Sequence, residues 1–354
     1  MMHGGPDALG AARHDFSTNA NAFGPCPDAV LAIKDTDPCH YPDPLYTALR
    51  ERLAVFHKVD ARRIVIAASA SEFISRITMA VARRGHRRIQ APPHGYCDYL
   101  RSAAAWGFEL VSAGADLVWC CDPSSPLGQP QEGLASCIDG LSADAVCVID
   151  LAYEPLRLEG ALSLSPRQLN AIWQLWTPNK ALGLTGIRAA YAIAPPGAQE
   201  MVAQLATLAP SWPVGAHGVA LLENWIAPAT RRWLDESRIV LRTWKSAQRA
   251  VCESLGWQCL PSVANYFCAK PDAPYSIKRA AALRAHGIKL RDTASFGLPD
   301  HVRLGVLPPA SQEALRQGWL KILLYYHEGG NPPTPPPLFS RQQVDCRLRG
   351  NNDE

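Results

Sequence analysis

The chain has 354 residues, 47% of them hydrophobic and 19% charged, with a net charge of only +3. That composition describes a globular protein long enough for one large domain and a smaller one. Weak net charge without a run of like charges argues against a nucleic-acid partner. The densest basic cluster, Arg83-Arg84-Gly85-His86-Arg87-Arg88, reads as a solvated connection. The eleven cysteines form no C-x-x-C pair and no cluster with zinc-ligand spacing, so no metal is expected. The stretch Met1-Met2-His3-Gly4-Gly5 lacks the apolar core of a secretion signal. No apolar stretch reaches the ~20 residues that span a bilayer. A reducing cytoplasm, with no membrane partner, is the expected setting.

In chain order, residues 1–40 are rich in Gly, Pro, Asp and Asn and read as an extended arm. Residues 44–58 have helical spacing, with Leu45, Leu49, Leu53 and Phe56 on one side and Pro44 in the first turn. Then the pattern alternates. Strand-like runs lie at 63–67, 88–91, 108–112, 116–121, 145–150 and 189–194. Helical runs lie at 71–83, with Ser71 as N-cap, and at 97–106. Strands alternating with helices predict an α/β fold with a mostly parallel sheet covered on both faces. Residues 217–256 read as two helices broken near Pro228. A smaller α+β region follows, with strands at 263–269 and 303–306. The expected division is an arm (1–40), a large cofactor domain (41–225), a small domain (226–328) and a disordered Pro-rich tail (329–354).

Ligands of open α/β sheets sit outside the carboxyl ends of the strands. Asp150 ends the most apolar strand, which places its carboxylate there, although a cap or turn explains a lone acid equally well. The segment Trp176-Thr-Pro-Asn-Lys-Ala-Leu-Gly-Leu-Thr-Gly-Ile-Arg188 is more specific. Lys180 sits in an apolar, Gly-rich stretch with no other charge until Arg188. Such surroundings disfavour an ammonium and suit a Schiff-base amine. Gly183 and Gly186 allow close backbone approach to a ligand. Thr177, Asn179 and Arg188 offer donors for a phosphate. The competing reading is a surface loop with a solvated lysine, which seldom carries so few charges.

This segment resembles the lysine signature of the fold-type I pyridoxal-phosphate enzymes, the class I/II aminotransferase superfamily, in which an arginine follows the lysine by eight residues. Other pieces occur in the family's order. Val148-Ile-Asp-Leu-Ala-Tyr153 is similar to its D-x-A-Y element, and Ala67-Ala-Ser-Ala-Ser-Glu72 to its phosphate turn. Pro93-His-Gly-Tyr-Cys-Asp-Tyr99 is similar to its ring-stacking segment, Cys121-Asp-Pro-Ser-Ser-Pro-Leu-Gly128 to N-P-x-N-P-T-G, and His301-Val-Arg-Leu-Gly305 to its late substrate-arginine strand. The resemblance covers about residues 3–325. Within the superfamily it is nearest to the histidinol-phosphate aminotransferase group. Three segments point to that group's threonine-phosphate decarboxylase branch, used in making cobalamin: His3-Gly-Gly5, Asp15-Phe-Ser-Thr-Asn-Ala-Asn21 and His40-Tyr-Pro-Asp-Pro44.

The resemblance implies an aspartate-aminotransferase-like fold and a role for each matching position. Lys180 binds pyridoxal phosphate and then acts as acid and base, Asp150 pairs with the ring nitrogen, and Tyr153 bonds the ring oxygen. Tyr96 stacks on the ring. Ala70, Ser71, Thr177, Asn179 and Arg188 hold the phosphate, joined across a homodimer interface by Tyr41. Arg303 and Arg291 bind a substrate anion, and Asn19 and His3 close over the site. The residues alone leave alternatives open: Tyr96 and Tyr153 as core aromatics, Arg291 as a surface charge, His3 as part of a disordered terminus. The chain departs from the family at Asp122 and at Ser125, which stands where an asparagine bonds the ring oxygen. The substrate implied is an amino acid or amine bearing a phosphate. Three functions follow: decarboxylation of such a substrate, transamination of the histidinol-phosphate type, and a binding protein that keeps the fold without catalysis.

Overall fold

The computed structural model describes residues 4–327, so His3 and the Pro-rich tail lie outside the described residues. The chain begins with β1 (His14–Asp15), α1 (Pro27–Lys34) and α2 (Thr47–His57). Alternation follows through β2 (Ile64–Ala67), α3 (Ala70–Arg83), β3 (Arg88–Gln90), α4 (Cys97–Ala105), β4 (Glu109–Leu110), β5 (Leu117–Cys121), α5 (Leu134–Asp139) and β6 (Val146–Asp150). Next come α6 (Pro166–Asn170), β7 (Trp173–Trp176), β8 (Ala190–Ile193), α7 (Gln199–Leu208), α8 (Ala216–Trp225) and α9 (Pro228–Ser254). The last part holds β9 (Gln258–Cys259), β10 (Tyr266–Lys270), α10 (Ile277–Ala285), β11 (Ile288–Lys289), β12 (Arg291–Asp292), β13 (Val302–Gly305) and α11 (Pro309–His327).

The larger sheet has the order β2-β8-β7-β6-β5-β3-β4 and is parallel except for β8, which runs against both neighbours. Helices cover both faces, as the near-continuous apolar strands require. Val65 and Ala67 pack with Phe73, Ile77 and Leu205 of α3 and α7 on one face. Ile64 and Ile66, one residue out of phase, pack with Leu53, Leu222 and Leu234 on the other. Helix α9 has 27 residues, about 40 Å at 1.5 Å per residue. Its Leu234 and Leu241 lie in the core of the large sheet, and its Cys252 lies in the core of the smaller one. The smaller sheet is antiparallel, in the order β12-β13-β10-β9.

The local differences from the sequence reading have physical causes. Residues 1–40 are not extended throughout: Pro27 at the first helical position starts α1, whose Ala29 is fully buried. Pro44 lies before α2, not in its first turn, because Asp43 accepts the Leu45 and Thr47 amides and Tyr46 takes a left-handed φ of 50°. Ser69, not Ser71, caps α3, accepting from the Glu72 amide at 3.1 Å. The run Trp-Gln-Leu-Trp has no clear alternation, and only pairing between β6 and β8 reveals it as β7. The break at Pro228 lies where proline at a first helical position permits it.

Candidate active site

One edge of the large sheet gathers the chemistry. The parallel strands β5, β6 and β7 end at Cys121, Asp150 and Trp176, with Cys121 paired to Asp150 and Asp150 to Leu175. The loop leaving β7 carries Thr177, Asn179 and Lys180, then Arg188 just before β8. Lysine and aspartate, thirty positions apart in sequence, are thus neighbours through strand register. These residues line a cavity of about 440 Å³ together with the start of α3, the start of α4, the N-terminal arm and β12–β13.

Asp150 is 5% exposed. Its Oδ1 accepts the Ala152 amide at 2.9 Å, and its Oδ2 accepts the Tyr99 hydroxyl at 2.7 Å. Lys180 is half-buried, with Nζ 5.3 Å from the centroid of the Tyr153 ring. Tyr153 packs edge-on to Tyr266 and accepts from Asn19 Nδ2 at 3.4 Å. Asn19 is buried, and its Oδ1 has no partner among the described residues. The Lys180 loop holds its shape in two ways. Gly183, at φ +68°, lies so close to the Gly24 carbonyl that a Cβ would sit 2.7 Å from its oxygen. The Asn179 side-chain amide donates to the Thr185 and Ile187 carbonyls. That amide therefore bonds within its own loop, while the residue lines the cavity.

Ala70 and Ser71 open α3 at the cavity wall, where first-turn amides have no intrahelical partner and the helix dipole favours an anion. The Ser71 hydroxyl shares a 3.2 Å hydrogen bond with Tyr96, and burial pushes the Tyr96 phenol well above its ordinary pKa. Thr177 is buried, and its hydroxyl has no partner among the described residues. Arg188 reaches the same cavity from an exposed position.

On the other side, Arg291 and Arg303 stand in register on β12 and β13. Both are buried, and both guanidiniums lie against the Phe296 ring, at 4.9 and 5.8 Å. Arg303 donates to the Ser17 carbonyl at 3.0 Å and to the Ser125 hydroxyl at 3.5 Å. Burial, then the Arg303 charge, pushes Arg291 down to about 10. Among the described residues no carboxylate forms an ion pair with Arg188, Arg291, Arg303 or Lys180. The other cavity arginine, Arg101, is paired with Asp98 at 2.8 Å. The cavity is thus built for anions.

The cavity therefore brings together Lys180, Asp150, Tyr153, Tyr96, Ala70, Ser71, Ser125, Thr177, Asn179, Arg188, Arg303, Arg291 and Asn19. Tyr41 does not line it; that side chain is 76% exposed and stacked on Trp212. Asp122 also faces elsewhere, bonding Arg157 at 2.9 Å in a buried cluster that includes Glu154. Sequence reasoning missed Tyr99, Ser17, Thr18 and Phe296. Tyr99 had a signal, one helical turn beyond Tyr96 on the same face. Phe296 sits in a short turn with no pattern to mark it.

A family model for the class I and II aminotransferases matches residues 112–319. The chain belongs to this family, and it is a pyridoxal-phosphate enzyme with the aminotransferase fold. Its relatives include a histidinol-phosphate aminotransferase of Rhodospirillum rubrum, 29% identical over 82% of this chain and 85% of that one. Histidinol-phosphate aminotransferase 2 of Rhizobium meliloti is 25% identical over 82% of this chain and 87% of its own. Two solved structures share the fold. The histidinol-phosphate aminotransferase of Sinorhizobium meliloti, in complex with pyridoxal-5'-phosphate, has a TM-score of 0.75, with 22% identity over 87% of this chain and 90% of that one. The L-threonine-O-3-phosphate decarboxylase of Porphyromonas gingivalis has a TM-score of 0.72, with 19% identity over 87% of this chain and 99% of that one.

The residues fit the cofactor: the unpartnered Thr177 hydroxyl, the start of α3 and Arg188 suit its phosphate, and the buried Asp150 carboxylate suits a protonated ring nitrogen.

Proposed function

We propose that this enzyme acts at the α-carbon of a phosphorylated amino acid and removes its carboxylate, as a threonine-phosphate decarboxylase does. The observation that carries the reading is the buried pair Arg291–Arg303, in register and without a carboxylate partner. Arg188, the α3 N-terminus and Thr177 serve the cofactor phosphate, so two guanidiniums remain for substrate. A substrate with both a carboxylate and a phosphate supplies an anion for each. A second reading is transamination of the histidinol-phosphate type. It is supported by the relatives of that name, which match over 82% of the chain.

When bound, pyridoxal phosphate supplies an electron sink for the bond broken at the α-carbon. Lys180 Nζ would hold the cofactor and would carry the proton delivered to or removed from that carbon. Asp150 would hold the cofactor at its ring nitrogen, and Tyr153 Oη would hold it at its ring oxygen. The Ser125 hydroxyl, directed at Arg303, orients the guanidinium. Tyr96 would cover the ring, and Asn19 would close over the substrate. A homodimer completes the site, each copy lending its exposed Tyr41 to the other. A reducing cytoplasm is the proposed setting, supported by the ten described cysteines, which are free thiols.

The test is the visible spectrum of the purified protein, followed by two substrate assays in parallel. The expected absorption band is absent in Lys180→Ala. Carbon dioxide release from L-threonine phosphate without a keto acid supports the first reading. Amino transfer from histidinol phosphate to 2-oxoglutarate, without carbon dioxide, replaces it with the second. A protein that stays colourless in excess pyridoxal phosphate sinks both.

A further inference from the structure

We infer that Tyr99 is a positioning residue for the cofactor, acting through Asp150. This rests on the role of Asp150 at the ring nitrogen. Tyr99 is fully buried in α4, and its hydroxyl, which reaches the cavity wall, donates to Asp150 Oδ2 at 2.7 Å. Its ring lies flat on Trp119 of β5, with centroids 4.4 Å apart and planes 10° from parallel. Trp119 is itself 1% exposed, so the phenol has little freedom to turn away. The Ala152 amide grips the other carboxylate oxygen, Oδ1, at 2.9 Å.

Two donors from two directions fix the plane of the carboxylate. The amide belongs to the backbone just after β6, and the phenol comes from a helix on one face of the sheet. With each oxygen holding one protein donor, the remaining lone pairs are left for a group in the cavity. Burial, then the Asp150 charge, raises the Tyr99 phenol well above its ordinary range, so it remains a donor at every working pH.

Tyr99→Phe tests the hydroxyl alone, because phenylalanine keeps the ring, its stacking on Trp119 and the volume of the site. Two readouts are compared with wild type and with Asp150→Ala. They are the dissociation constant for pyridoxal phosphate, from equilibrium dialysis of the apoprotein, and the pH midpoint of the bound cofactor's visible band. The expected result for Tyr99→Phe is cofactor binding weakened about tenfold, the scale of a lost hydrogen bond to a charged group. Its band midpoint should move in the same direction as in Asp150→Ala, by less, with an unchanged melting temperature. Wild-type values for both readouts in Tyr99→Phe, against a clear change in Asp150→Ala, overturn the inference alone. Wild-type values in both variants overturn the assigned role of Asp150 and the inference with it. A purely structural role for Tyr99 predicts a lower melting temperature with an unmoved midpoint, and that outcome also rejects the inference.

Discussion

Arg303 shows how a single residue takes its meaning from its neighbours. It lies in a strand with both faces buried, among Val302 and Leu304, where a charge is costly unless satisfied. The Ser17 carbonyl satisfies part of it, and Nε is left without a partner. In the proposed function a substrate anion supplies the rest. Arg303→Ala is expected to raise KM for the phosphorylated substrate by roughly 10- to 100-fold, the range of a hydrogen bond to a charged group. The visible band of the cofactor should stay unchanged, so steady-state kinetics and an absorption spectrum check the prediction together. A variant with normal KM would move the substrate anion elsewhere. The sequence made Arg303 a candidate through its strand motif. It left Arg291 as equally a surface charge, and only the β12–β13 register makes them a pair.

Among the elements, the junction of α2, β8, α8 and α9 depends on one neutral histidine. Tyr191 Oη of β8 accepts from Trp225 Nε1 at 3.1 Å and meets His57 Nε2 at 2.7 Å. The phenol therefore donates to an unprotonated imidazole. Burial, and then the Arg231 charge, pushes His57 down to about 4 from the ordinary 6.5. The folded value is the lower one, so between pH 6.5 and 4 the unfolded chain binds the proton more readily. The stability contributed by the neutral ring is complete above 6.5 and is lost as pH falls toward 4. At 1.36 kcal/mol per unit the loss is about 3 kcal/mol. Urea unfolding at pH 7.5 and 4.5 should show a smaller acid loss in His57→Gln than in wild type; equal losses would contradict the assignment. The sequence marked α2 by the spacing of Leu49 and Leu53. It carried no sign of this junction, whose partners are 134 residues apart in the chain.

Across the whole molecule, the N-terminal arm joins the two sheets at the site. Its β1 pairs with β11, the Gly305 amide donates to the Phe16 carbonyl at 2.7 Å, and the Asn21 amide donates to the Lys180 carbonyl at 2.9 Å. Asp7 anchors the arm with ion pairs to Arg284 and Lys289, both 3.0 Å. The Arg284 guanidinium holds the Asp7 carboxyl well below the usual carboxylate range. Asp7→Asn is expected to cost about 1 kcal/mol, since the pairs are only partly buried. It should also speed cleavage of the arm in limited proteolysis, read by mass spectrometry. Unchanged cleavage would assign the anchoring to β1 and Phe16 instead.

The sequence by itself determined the alternation of strands and helices and the parallel α/β class, and it singled out Lys180, Asp150 and Arg188 as candidates. Those features are local: the period of apolar residues and the residues at fixed spacing from a lysine need no distant partner. Tertiary structure decided the rest. It turned the Asn179 amide onto its own loop, gave Asp122 to Arg157, left Tyr41 outside its own cavity and put Tyr99 on Asp150. A side chain's hydrogen-bond partner depends on which strands are neighbours and in what register. Those are properties of the packed sheet, and no spacing along the chain records them.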